Sequence, residues 1–350
     1  MIQKDIMQIN LIALLLSSLA LSACAKTPSE SKPTEDTAQQ THTSPNNDPN
    51  LKTEIKQLIE RNQKNIVTIQ GGSFIMGDFA MITRELESTV PDSMAVKNPK
   101  GNVEKPSYDS LIGYSHNPNN KPPHKVVLDS FKMTNNKVTL QDYLIYLKAT
   151  HQEQPKYVNR YPKQIFHKLP AGANWYNAQK YCQWLGSQIG ESMDLPTEAQ
   201  WEYAARNRGQ YVLYATNDGT MKNGKNISSY VQLEANKTKY GYQRSGHLPV
   251  LGEVPANPLG LYDMVTNNNE WVRDWYSENY YAQSPIHNPT GPEKGEFKVM
   301  RSAFPQGGDN ASAGDGMNIN RQKLTPSSIV QENGDTIDIS KGNAFRCVYK

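Results

Sequence analysis

The sequence predicts an irregular α+β fold with large loops, and three observations carry that expectation. Tyrosine is abundant and phenylalanine scarce, 19 against 7. Glycine and proline are frequent, 23 and 22 residues of 350. Apolar residues recur at helical or strand spacing only over short stretches, which leaves long connections between them. Such loops persist in a compact domain only when something holds them, an ion or a disulfide being the usual means.

The chain opens with Lys4, an apolar run from Leu11 to Leu21, and then Leu21-Ser22-Ala23-Cys24. A short apolar run ending in small residues reads as a secretory signal and is too short to span a bilayer. Its ending resembles the bacterial lipobox, which implies cleavage before Cys24, acylation of that cysteine and anchoring in the cell envelope. Ala25 follows it instead of an acidic residue. By resemblance to Gram-negative lipoproteins, that implies an outer membrane location facing the periplasm. The stretch after Cys24, to about Asn50, is rich in Ser, Thr, Pro, Asn and Gln and almost free of apolar side chains. It cannot bury enough surface to offset its ordering entropy and reads as a disordered spacer. The expected organisation is a signal segment over 1–23, a linker over 24–50, a short helix and connector over 51–66, and one folded domain over 67–350.

Within the folded part the elements follow in order. Leu51, Ile55, Leu58 and Ile59 recur at helical spacing. Val67 to Met76 and Lys125 to Met133 are β-branched or aromatic and read as strands. A helix is expected over Leu140 to Ala149 after Thr139. Another spans Trp175 to Leu185, where Trp175, Ala178, Tyr181, Cys182 and Leu185 share a face and Asn174 caps the start. Thr197 with Gln200 three residues on is a capping-box arrangement for a third helix. Phe297 to Arg301 is the last strand candidate.

The formal net charge is +3 and no Lys/Arg run stands out, so nothing signals nucleic acid. Besides Cys24 there are two cysteines, Cys182 and Cys347. They are either buried free thiols or a disulfide, which on the chain-entropy model would stabilise by about 5 kcal/mol before strain. Neither has a CxxC or histidine neighbour, which argues against zinc.

Several stretches together resemble the formylglycine-generating enzyme family, the sulfatase-modifying-factor domain, in the family's order. They are Val67-Thr68-Ile69-Gln70-Gly71-Gly72-Ser73-Phe74-Ile75-Met76-Gly77, Pro122-Pro123-His124, Lys137-Val138-Thr139, Trp175-Tyr176-Asn177-Ala178 and Tyr181-Cys182-Gln183-Trp184-Leu185. The most specific is Leu195-Pro196-Thr197-Glu198-Ala199-Gln200-Trp201-Glu202-Tyr203-Ala204-Ala205-Arg206. Pro255 to Met264, Glu270-Trp271, Arg301 and Asn343-Ala344-Phe345-Arg346-Cys347 complete the series. The resemblance implies a C-type-lectin-like α+β structure, low in regular secondary structure. It also implies a bond between Cys182 and Cys347, which stand where family members often join two cysteines.

A structural calcium site is implied too, on the side chains of Asp263 and Glu270 and the carbonyls of Thr266 and Asn268. Two carboxylates and two carbonyls make the oxygen set calcium prefers. A second family site would use Asn226-Ile227, but Tyr240 stands at its acidic position, so that site is expected to be lost or weak.

The family's catalytic members hold copper with two cysteines between an Arg-Gly-Gly-Ser motif and a final Gly-Phe-Arg. Here Arg301-Ser302-Ala303-Phe304 replaces the first motif, and no cysteine lies between Arg301 and Phe345. Without thiolates there is no soft site for Cu(I). Related iron enzymes use a histidine set on an added helical domain, and the seven histidines here lack HxxxH spacing. No copper or iron is therefore expected. Other acid-base candidates are thin. Asp194 reads as a surface charge reversal, and Ser73 and Ser302 have no evident histidine partner. Arg301, Phe304, Asp309, Asp315 and Arg321 could line an old substrate groove or a partner surface, Asp309, Asp315 and Arg321 otherwise being exposed loop residues. The resemblance thus implies a non-catalytic, lipid-anchored binding protein with a protein partner in the envelope, such as an accessory or immunity protein of a type VI secretion effector like a lipase. The alternative it leaves is a divergent metal-dependent enzyme acting on periplasmic peptides.

Overall fold

A computed structural model describes residues 48–80, 82, 115, 117–244, 248–302, 316–332, 335–338 and 342–349. Cys24, Phe304, Asp309, Asp315 and the whole of the expected signal lie outside the described residues, as does all but the end of the expected linker. Helix α1 (Pro49–Lys64) starts from Asp48, whose side chain accepts from the Asn50 amide, with a proline in its first turn. It runs past Ile59, where the apolar spacing stops. Its polar end is held instead by Arg61, which donates to Asp142 at 2.6 Å. Single-sequence periodicity has no means of seeing that partner.

The two longest strand expectations each divide in two. Strand β1 (Ile66–Ile69) passes through Gln70-Gly71 into β2 (Gly72–Met76), and β3 (His124–Leu128) passes through Asp129-Ser130 into β4 (Phe131–Thr134). β2 pairs antiparallel with β3, while β1 pairs antiparallel with β4. The chain thus switches from one sheet to the other at two adjacent corners. Gly71 makes the corner possible, because a Cβ there would lie 2.3 Å from the Leu128 carbonyl oxygen. Only a residue without a side chain tolerates so close a backbone approach.

Helix α2 (Leu140–Ala149) is capped by Thr139, and α3 (Trp175–Ile189) by Asn174 and terminated at Gly190, whose φ is +73°. The short strand β5 (Met193–Asp194) leads into α4 (Glu198–Ala205), which carries the full capping box of Thr197 and Gln200. After α5 (Tyr230–Tyr240) come β6 (Glu270–Trp275), β7 (Lys298–Arg301), β8 (Gln322–Leu324), the hairpin β9 (Ile329–Glu332) and β10 (Asp335–Asp338), and finally β11 (Val348–Tyr349). One sheet has the order β1-β4-β11-β5 and another β6-β7-β8. Among the described residues regular secondary structure is modest and the strands are short.

Two large apolar centres, with two smaller ones beside them, hold these pieces. One sets Ile69, Phe74, Met76, Val126 and Met133 from the strands against Trp201 and Tyr203 of α4. The other joins Leu58 of α1, Tyr143 and Tyr146 of α2, and Tyr181 and Leu185 of α3 to Phe345. In the second centre Cys182 and Cys347 are joined as a disulfide, both fully buried, with a Cα separation of 5.5 Å. Many of the tyrosines are therefore core residues that stack edge-on, Tyr146 on Tyr181 and Tyr181 on Phe345 at 5.5 Å.

Candidate functional site

Helix α4 is almost entirely buried, and its charged residues are buried with it. Glu198, Glu202 and Arg206 stand at successive i,i+4 positions, so they share one face and point into the same interior. The other half of the cluster comes from β7, which ends at Arg301, and from Arg321 just before β8. Arg301 bridges the two carboxylates, donating to Glu198 Oε1 at 2.8 Å and to Glu202 Oε2 at 2.9 Å. Arg321 grips Glu198 with two bonds, 2.6 Å from Nε and 2.9 Å from Nη2. Arg206 donates to Glu202 Oε1 at 2.8 Å and to the Ile75 carbonyl at 2.7 Å, and its guanidinium lies 4.3 Å from the Phe79 ring centre.

Burial alone would raise the Glu198 carboxyl, but the charges of Arg321 and Arg301 outweigh it and hold the group below the usual carboxylate range. Both of those guanidinium groups shift the other way: burial opposes their charge, and the carboxylates more than restore it. Three arginines thus grip Glu198 and Glu202, and behind them the Asp274 carboxyl accepts from the Glu198 amide at 2.9 Å. Such a paired, water-excluded cluster organises a core. This corrects the expectation that Arg301 and Arg321 face a groove or a partner, and the reading of Arg321 as an exposed loop residue. Both are buried, because α4 brings carboxylates to meet them. Ser302 is buried as well, with φ at +67°, a conformation better suited to the glycine it replaces. Asp194 is buried too, not an exposed charge. It accepts from Gln179 Nε2 and from the Leu195 amide, and it lines a surface pocket with Thr197, Gln200 and Arg273.

Asp274 is the uncompensated member. Burial, and then the charge of Glu198, push its carboxyl up to about 7. A folded-state pKa above the unfolded one means that its contribution to stability is complete below about pH 4 and is lost as pH rises through about 7. Asp274→Asn keeps an acceptor for the Glu198 amide and cannot ionise. The variant is expected to be more stable than the parent by about 1–3 kcal/mol at pH 8 and to lose that advantage near pH 4. Urea midpoints at the two pH values check this, and equal differences at both would contradict it.

The four residues expected to bind calcium are brought to one place, but a side chain already fills it. The ammonium of Lys137 donates to the carbonyls of Thr266 and Asn268, each at 2.5 Å, and of Asn267 at 2.8 Å. It lies 3.7 Å from Glu270. Glu270 is also held by both sides of Arg346, at 2.7 and 2.9 Å, and by the Trp201 indole N–H at 3.2 Å. Asp263 accepts from the Gly252 amide, Thr266 Oγ1 and Asn267 Nδ2. With Lys137 and Arg346 against Glu270 and Asp263, the formal charges are balanced by the side chains themselves. At the second family site, expected to be lost or weak, Asn226 bonds Asn217, Asp218 and Thr220. Among the described residues no group of three or more His, Cys, Asp or Glu is placed to hold a metal ion.

Sequence reasoning assigned no role to Lys137, Glu198, Glu202 or Asp274. A signal existed for the glutamates: two acids and an arginine stand at i,i+4 spacing in a helix whose other residues are Ala, Trp and Tyr except for the capping Gln200, which leaves little solvated face for them. Lys137 carried no such signal, since its acceptors lie about 130 residues away.

The chain matches the sulfatase-modifying factor enzyme 1-like domain over residues 52–349. It is 33% identical over 178 residues to a formylglycine-generating enzyme of Streptomyces coelicolor, half of each chain being covered. It is 32% identical over 199 residues to the serine/threonine-protein kinase pkn1 of Chlamydia caviae, covering 51% of this chain and 29% of that one. A protein of Bos taurus named inactive C-alpha-formylglycine-generating enzyme 2 is 33% identical over 103 residues, covering 29% of this chain and 32% of that one. The chain thus spans half or less of the length of these relatives. Among solved structures it is similar to PvdO from Pseudomonas aeruginosa, at 20% identity and a TM-score of 0.49, with 81% of this chain and 94% of that one covered.

Proposed function

Because the chain belongs to the formylglycine-generating enzyme (sulfatase-modifying factor) family, we propose that it is a non-catalytic member, a lipid-anchored envelope protein that binds a protein partner. One observation carries the reading. The two cysteines of the folded domain are bonded to each other, and the third in the chain is Cys24. No thiol pair is left for the copper chemistry that the resemblance to catalytic members implies, and Glu198 and Glu202 beside Arg301 are engaged by arginines. The bovine relative named inactive supports the idea that the family includes non-catalytic members. The lipobox-like Leu21-Ser22-Ala23-Cys24 supports the anchor, and the fold's broad loops support a binding surface. An accessory or immunity role toward a type VI secretion effector, for instance a lipase, fits that address.

The test has three arms. The purified full chain, supplied with copper, is expected to leave a cysteine-containing peptide unoxidised, and aldehyde formation would overturn the proposal. Cys24→Ser is expected to move the protein from the membrane to the soluble fraction; an unchanged distribution removes the anchor. Crosslinking in cells followed by capture should recover a stoichiometric envelope protein or effector, and recovery of none removes the partner.

A further inference from the structure

Lys137 is a fully buried lysine whose three N–H donors meet three backbone carbonyls, those of Thr266, Asn267 and Asn268. The loop presenting those carbonyls is strained. Asp263, Asn267 and Asn268 have φ values of +57°, +60° and +78°, in the left-handed region that only glycine enters freely. Turning successive carbonyls toward one point also brings like ends of their dipoles together, so the conformation needs a positive charge at its centre. Aspartate and asparagine are the side chains that best tolerate this backbone. Asp263 braces the loop from behind, through Thr266 and Asn267. The donor set around the ammonium, three carbonyls with the Glu270 carboxylate beyond, is the hard-oxygen kind that divalent cations use.

We infer that Lys137 is a tethered cation, doing for the 263–270 loop what a bound divalent ion would do, and that shortening it opens the loop to calcium. The protein therefore needs no calcium to fold, although it retains a cage of the right chemistry. With the ammonium gone, the buried charges are Arg346 against Asp263 and Glu270, an excess of negative charge that favours an incoming cation. This inference stands apart from the proposed function and survives its failure.

The test uses the full chain. The wild-type thermal midpoint is expected to be the same in millimolar calcium and in chelator. A calcium-induced rise, or stoichiometric calcium retained through purification, overturns the inference. Lys137→Ser is expected to melt lower than wild type in chelator and to recover by at least about 5 °C in millimolar calcium. A folded variant that ignores calcium overturns it as well. If the variant does not fold in chelator, dilution from urea into calcium is expected to restore it, and failure in both buffers counts against the cage.

Discussion

Glu198→Ala is expected to cost about 3–5 kcal/mol, since removing one partner of a buried ion pair leaves the other charge without solvent or counter-ion. Here the stranded groups are two. Arg321 would lose both of its carboxylate bonds, and Arg301 one of its two. Arg321 would retain the backbone carbonyls of Asn119 and Ser277 and its packing over Tyr276 and Tyr281. At roughly 2–4 °C per kcal/mol for a domain of this size, the thermal midpoint should fall by about 10 °C. Glu198→Ala combined with Arg321→Ala should cost less than the sum of the two single changes, because the pair is coupled. A loss under about 1 kcal/mol for Glu198→Ala would mean that the cluster is solvated, and the reading of Arg301 and Arg321 as core groups would fall with it.

The second large effect concerns the disulfide. Cys182 and Cys347 lie 165 residues apart in sequence, so their bond removes much freedom from the unfolded chain. Replacing both by serine is expected to cost about 2–5 kcal/mol, read as a lower urea midpoint. Both sulfurs are buried in the centre formed by α1, α2 and α3. Reductant alone should therefore leave the native protein untouched over hours, while the same reductant in moderate urea lowers the midpoint toward that of the double serine variant. Rapid reduction without denaturant would place the bond in an exposed position and contradict the packing described above.

Local signals reached far into this fold. Thr139, Asn174 and Thr197 each mark the start of a helix in the sequence and cap one in the structure. Capping is legible because the cap and the amide it serves lie within a few residues of each other. The strands were legible as apolar runs, but their division at Gly71 and Ser130 was not. A corner between two sheets depends on which backbone passes behind it, and at Gly71 that is Leu128. The end of α1 was missed for a related reason, its stabilising contact being Asp142 on another helix.

The site divides along the same line. Composition and order along the chain determined the α+β class, the family's run of motifs and the lack of any cysteine between Arg301 and Phe345, because these are properties of residues counted in one dimension. Whether Arg301 and Arg321 meet a partner or a buried glutamate could be decided only by the packing of α4 against β7. Whether Thr266, Asn268 and Glu270 wait for calcium or already hold a charge depended on a lysine of the segment before α2. A charge is assigned its partner by distance and by exclusion of water, and both are created when the chain folds.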